Sequence, residues 1–330
     1  MRGMTAVHGG RQRASTAAIW AALGAVYLAW GGTYLGIRVA IETLPPLLMA
    51  STRFLIAGAL LYLWAVRRGD RRGDRPSRRQ WAAAAIIGVA LLLGGNGLVT
   101  LAEQRVTSGI AALLVATVPL WMVLLARAVL RERVRWLEWL GVVVGFGGVT
   151  LLAWPSGPQY ADPLGVGMVV LASLSWAGGS LYARRAPMPA RPLVGVAMEM
   201  LAGGLALGIV GLLRGELAQV HPERFSLESL LGLGYLIVFG SWVAFSAYVW
   251  LLRVTRTSLV ATYAYVNPIV AVLAGWLILS EPVGIRTLLA GLVILVGVAL
   301  IVTARSTAEE AEEGEPGAGA PPVEEERVSA

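Results

Sequence analysis

The chain carries the same pattern twice. Thr107-Ser108, Pro119, Glu132, Gly141 and Gly147 return as Thr257-Ser258, Pro268, Glu281, Gly291 and Gly297, each 149 or 150 positions later. Nearer the N-terminus, Trp30, Pro46, Arg53 and Gly58 return as Trp176, Pro192, Glu199 and Gly204, at a constant offset of 146. Each copy holds five long apolar segments. Five is odd, so a second copy threaded after the first enters a membrane from the opposite side. A duplicated unit of inverted topology is the arrangement of secondary transporters, which hold their substrate near the bilayer midplane between the halves.

Composition agrees with a membrane solvent. The chain is 57% hydrophobic and only 14% charged, too apolar to clothe a water-soluble surface. Segments at about 17–36, 46–66, 80–101, 108–129, 135–154, 164–185, 193–213, 229–252, 258–279 and 285–304 each have the length to cross a hydrocarbon core of ~30 Å. In lipid the backbone must satisfy itself, and apolar runs of this length do so as helices rather than barrel strands. The predicted fold is therefore an all-α integral membrane protein with ten transmembrane helices in two inverted five-helix repeats. Residues 1–16 form a cytoplasmic segment, 17–155 the first repeat (helices 1–5) and 164–305 the second (helices 6–10). Residues 306–330, with Glu309, Glu310, Glu312, Glu313 and Glu315 among Pro, Gly and Ala, read as a disordered acidic cytoplasmic tail. The first apolar run outlasts a signal-peptide core and contains the repeat-matched Trp30, so it reads as the first helix.

Arginine sets the orientation, because the chain has no lysine. With the N-terminus inside, cytoplasmic segments hold 21 arginines, and the other face keeps Arg38, Arg105, Arg214, Arg224 and Arg286. That asymmetry predicts a multi-pass protein of the bacterial cytoplasmic membrane with both termini cytoplasmic. The high pI is a topology signal, and nucleic acid is not an expected partner. The absence of cysteine excludes thiolate catalysis and disulfides. His8 and His221 lie outside the spans, so neither a metal nor any other cofactor is expected.

The strings AWGGTYLGIR, PPLLMASTRF, GNGLVTLAE, TSGIAALLVATVPL, SWAGGSLYARR, MEMLAGG and ATYAYVNPIVAV resemble the EamA-domain branch of the drug/metabolite transporter superfamily, over about residues 17–305. The resemblance implies ten helices in two inverted repeats, a central cavity, and efflux of small metabolites such as amino acids by alternating access. The acidic tail lies outside it.

Within the spans, Arg53 and Glu199 are ionisable at matched repeat positions. Such groups cost about 2.5–3.5 kcal/mol at mid-depth on insertion scales, so they must face protein or a wet cavity. Either they bind or gate, or they make structural bonds to backbone and neighbouring helices. Glu103, at the outer end of the third helix, reads as a solvated helix end. Pro119 and Pro268 each remove a backbone donor and free the carbonyls of Val115 and Ala264, as a cavity-lining helix break, a hinge or an ordinary packed kink. Tyr263 and Asn267 share a helix face at i,i+4, and Asn96 is a further polar group needing a partner. Trp30, sharing a face with Tyr34, and Trp176 suit stacking on an organic substrate or packing on glycine. Gly141 and Gly145 allow close helix approach, within the chain or across a homodimer.

The expected function is a secondary-active transporter exporting a small-molecule substrate. Two alternatives belong to other classes. A passive channel or facilitator would not require an inverted duplication with paired helix breaks. An intramembrane enzyme would require acids, histidines or metal ligands converging within the spans. No GxxxxGK[ST] loop is present to drive ATP-powered pumping.

Overall fold

The computed structural model describes residues 15–67, 75–154 and 161–314, and among them every regular element is helical. The membrane-spanning helices are α1 (Thr16–Ala40), α2 (Pro46–Arg67), α3 (Arg78–Ala102), α4 (Ser108–Leu130), α5 (Trp136–Ala153), α6 (Pro163–Ala183), α7 (Pro192–Leu213) and α8 (Leu227–Val254). They are followed by α9, in two pieces (Thr257–Val260 and Tyr263–Leu279), and α10 (Ile285–Gly314). Side-chain oxygens start several of them. Ser15 accepts from the amide of Ala18, and Ser77 and Gln80 form a reciprocal capping box. Pro46, Pro163 and Pro192 open their helices at positions where a missing N–H costs nothing.

Helix pairs of the two repeats lie against each other through glycine. The α2–α7 pair is antiparallel. A Cβ on Gly58 would stand 2.9 Å from the Cβ of Met200, one on Gly204 would stand 3.1 Å from the amide nitrogen of Leu55, and the Ser51 hydroxyl donates to the Gly204 carbonyl at 2.8 Å. The α5–α10 pair is closer still. A Cβ on Gly141 would lie 2.7 Å from the Gly297 carbonyl oxygen, and one on Gly297 would lie 2.6 Å from the Gly145 amide. Arg135 donates to the Ala304 carbonyl at one end of this pair, and Arg286 to the Leu151 carbonyl at the other. The close approach foreseen for Gly141 and Gly145 thus takes place within the chain.

Three features differ from the sequence reading. First, α3 is π-helical over Val89–Gly97 and α8 over Leu236–Val243, equivalent positions of the two repeats that hydropathy does not distinguish from ordinary helix. Second, the helix breaks are not matched. In α4 the chain breaks at Ala116–Thr117, just before Pro119, whereas α9 breaks at Ala261–Thr262 and Pro268 lies inside the continuous Tyr263–Leu279 helix. Third, α10 runs on to Gly314, through the first four glutamates assigned to the tail. Ala and Glu extend an existing helix readily, because no new nucleus is needed. The rest of the tail lies outside the described residues.

Candidate functional site

The π-helical segment of α8 is a meeting point for α1 and α2. Its Gly240 carbonyl accepts the indole N–H of Trp30 at 3.1 Å, and its Ser241 hydroxyl lies 3.0 Å from Nε of Arg53. A Cβ on Gly240 would stand 2.8 Å from Cγ2 of Thr33 and 3.2 Å from a guanidinium nitrogen of Arg53. Glycine is therefore required there for close approach rather than for backbone freedom. A π-turn offsets the carbonyls from the regular ladder, so the segment can present backbone oxygen to a neighbour.

The ring of Trp30 lies 5.2 Å, centroid to centroid, from each of Phe245, Tyr248 and Tyr263, with Phe245 and Tyr263 edge-on. Edge-to-face contacts of this kind are favoured by the ring quadrupoles. Asn267, one turn beyond Tyr263, is buried where α9 meets α1: its carbonyl oxygen would stand 3.1 Å from a Cβ on Gly31. Its side-chain oxygen has no hydrogen-bond partner among the described residues.

Arg53 is 4% exposed and Glu103 is 0% exposed. Glu103 was expected to be a solvated helix end. Instead the turn after α3 folds it inward, while Gln104 and Arg105 remain outside. Arg38 of α1 donates to its main-chain carbonyl at 2.5 Å, and Arg38, Arg53, Tyr34 and Glu281 all lie within electrostatic reach of its carboxylate. Neither carboxylate oxygen has a hydrogen-bond partner among the described residues. Buried polar atoms are seldom left so, and unpaired acceptors in a cluster mark a place built for something more than packing.

The second repeat forms the counterpart around α3. A Cβ on Gly95 would stand 2.7 Å from the ring of Trp176, and Ser175 donates to the Ala90 carbonyl at 2.8 Å. Gly94 and Gly95 are 146 positions before Gly240 and Ser241, so each repeat seats a tryptophan helix on the π-segment of the other. Asn96 follows directly, its carbonyl accepting the Thr100 hydroxyl at 2.8 Å. Glu199 is half-buried on α7, and its main-chain oxygen faces Gly88 of α3. It does not pair with Arg53. The antiparallel α2–α7 contact sets the two residues roughly 8 Å apart along the axis at 1.5 Å per residue. Among the described residues Arg53 has Ser241 as hydrogen-bond partner and Glu103 as its acidic neighbour.

Sequence reasoning missed Gly240, Ser241 and the burial of Glu103. The first two had a signal, a mid-span pair of small residues repeated at the offset that relates the tryptophans. At the face bearing Arg38 and Glu281, a cavity of about 350 Å³ is lined by those residues with Glu42, Gln104, Arg105 and Thr107. Outside the spans, the Arg105 guanidinium, 3.0 Å from Asp162, holds that carboxyl below the usual carboxylate range.

Comparison with known proteins gives a consistent result. Residues 15–154 and 163–303 each match the model of the EamA-like transporter family. The uncharacterized inner membrane transporter YedA of Escherichia coli K12 is 43% identical over 258 residues, covering 78% of this chain and 81% of its own. An uncharacterized transporter of Archaeoglobus fulgidus is 23% identical, covering 87% and 99%. The chloroplastic WAT1-related protein At3g02690 of Arabidopsis thaliana is 23% identical, covering 86% and 69%. One solved crystal structure aligns at a TM-score of 0.59 and 20% identity, over 88% of this chain and 99% of that one, a likeness of fold.

Proposed function

The chain belongs to the EamA-like transporter family, and from that premise we propose a secondary-active exporter of small polar or amphipathic metabolites, amino acids among them. It sits in the bacterial inner membrane with both termini cytoplasmic, as the arginine asymmetry argues. The two halves rock about a central site and expose it to one side at a time.

One observation carries this reading. Each repeat's tryptophan helix is seated on the π-helical segment of the other repeat, through Trp30 on Gly240 and Trp176 on Gly95. A rotation of one half against the other re-forms these contacts and alters whatever lies between them. The groups that would hold a cargo are the aromatic wall of Trp30 and Tyr263, the free amide oxygen of Asn267, the cation of Arg53 and the unpaired carboxylate of Glu103. A cation and an acid in one buried cluster suit a zwitterion, the carboxylate of an amino acid facing Arg53 and its ammonium facing Glu103. In such a site each charge replaces a solvation shell with a fixed partner.

The test is counterflow in proteoliposomes. Vesicles loaded with a mixture of amino acids are expected to take up labelled amino acid faster than empty ones, with saturation. Metabolite profiles of overexpressing and deletion cells then identify the cargo. Unsaturable flux without counterflow would replace a carrier by a channel, and unchanged profiles on both sides of the membrane would remove export.

A further inference from the structure

Two repeat-related turns share one backbone and differ in one contact. Arg131 and Ser280, 149 positions apart, are the two non-glycine residues with left-handed φ among the described residues, at 57° and 53°. Each ends a helix. The amide of Glu132 bonds back to the Ala126 carbonyl at 3.2 Å, and the amide of Glu281 to the equivalent Gly275 carbonyl at 3.0 Å. Both turns therefore project a glutamate from the same backbone geometry, on opposite faces of the protein.

Their side chains do different things. Glu281 reaches the start of α4, where one carboxylate oxygen accepts the Ser108 amide at 2.9 Å. The other accepts the Ser108 hydroxyl at 2.9 Å and the Gly109 amide at 3.3 Å. These charge-assisted bonds join α9–α10 to α3–α4 across the face that holds Glu103. The Glu132 side chain is exposed, and its carboxylate makes no hydrogen bond or ion pair among the described residues. Its repeat-matched target is Thr257-Ser258-Leu259. There the Leu259 amide turns to the Arg256 carbonyl at 3.1 Å, so the equivalent of the Gly109 donor is taken up locally.

We propose that Glu281 and Glu132 are alternating latch residues: Glu281 on Ser108 holds its face shut in the present conformation, and Glu132 on the first amides of α9 holds the opposite face shut in the other. The inference rests on the alternating-access reading, and the symmetry of the repeats supplies the second conformation. When the halves exchange positions, α9 presents its first amides to Glu132 as α4 now presents its own to Glu281. Only one set forms at a time, because forming either opens the other face. Each conformation thereby has its own lock, and neither lock touches the cargo.

The chain has no cysteine, so spin labels can be placed in pairs without background thiols. One pair at Gln104 and Ile285 reports the Glu281 face, and one at Arg133 and Leu252 reports the other. Distances are read by double electron–electron resonance in lipid nanodiscs, with no substrate present. Glu281→Ala is expected to raise the long-distance population of the first pair about tenfold relative to wild type and to shorten the second pair, as loss of a bond set from one state alone requires. Glu132→Ala, at an exposed site unconnected to folding, is expected to shift both pairs the other way, and the double variant to return towards wild type. Unchanged distances in both single variants, or the same shift from both, would overturn the latch. If Glu281→Ala fails to yield a folded protein, Glu281→Asp keeps the charge and breaks the reach, and must shift the pairs in the same direction. Reciprocal shifts without any counterflow would leave the latch standing and remove the transport reading. Counterflow without the shifts would do the reverse.

Discussion

The Nε of Arg53 lies 3.0 Å from the Ser241 hydroxyl, so a guanidinium buried within α2 is anchored to the π-helical segment of α8. Hydrogen bonds to a charged group contribute about 1.5–3 kcal/mol. Ser241→Ala is therefore expected to slow transport several-fold with normal membrane insertion, and Arg53→Ala to abolish it. Full transport in both variants, at wild-type abundance, would make the contact a packing detail.

The charge neighbour of Arg53 is Glu103 rather than Glu199. Removing one member of a coupled pair strands the other, whereas separated groups act independently. Arg53→Ala combined with Glu103→Gln is expected to be no worse than the more severe single variant. Arg53→Ala combined with Glu199→Gln is expected to show additive losses. Double-mutant cycles on initial transport rates decide between the two pairings, and additivity for Glu103 with non-additivity for Glu199 would reverse the assignment.

Pro119 and Pro268 make different predictions because their surroundings differ. Pro119 opens the second piece of α4 directly after a break, so Pro119→Ala permits a bond to the Val115 carbonyl and closes that break. Pro268 sits within continuous helix, so Pro268→Ala restores one bond without changing the course of the chain. The expected order is a several-fold loss of transport for Pro119→Ala and a smaller loss for Pro268→Ala, at equal expression. Equal rates for both variants and wild type would reduce both prolines to ordinary kinks.

The topology is checked with reporter fusions. Fusions after Arg67 and after Arg305 are expected to read cytoplasmic, and an insertion at Asp162 external. A cytoplasmic signal from Asp162 would make the number of preceding spans even and break the inversion.

Asp162 gives a pH dependence whose sign follows from its partner. A carboxyl held below its ordinary value stabilises the folded state above the unfolded pKa of about 3.9 and loses that contribution as pH falls through the lower, folded value. The link between the α3–α4 turn and the start of α6 should therefore hold at neutral pH and loosen below about pH 4. Asp162→Asn is expected to lower the melting temperature slightly at pH 7 and to flatten its fall on acidification. An identical acid profile for the variant would remove Asp162 from the response.

Most of the architecture was legible in the sequence because hydrophobic length and a nearly constant repeat offset are long-range regularities. Thr107-Ser108 with Glu281 shows where legibility stopped. Both motifs were visible, but that the glutamate of one repeat caps the helix of the other depends on three-dimensional proximity. Glu103 was misjudged for a related reason. Its distance along the helix put it at the boundary, and the turn at Glu103–Val106, which folds it inward, has no hydropathy signature. The π-segments were hidden because one extra residue per turn leaves an all-apolar stretch unchanged. Arg53 and Glu199 read alike in the sequence as ionisable groups at matched positions, but the offset of an antiparallel pair gives each a different environment, buried for Arg53 and half-buried for Glu199.

The contact between α5 and α10 has a consequence for how the gene can drift. Gly297 lies against the main chain of Gly141 and Gly145 at distances where a methyl group would meet backbone nitrogen and oxygen, which cannot rotate aside. A single codon change to alanine on either helix therefore has no local repair: it must pry the two helices apart along their length. The pair is inherited as one object, and substitutions that tune the cargo are expected to accumulate in the other helices.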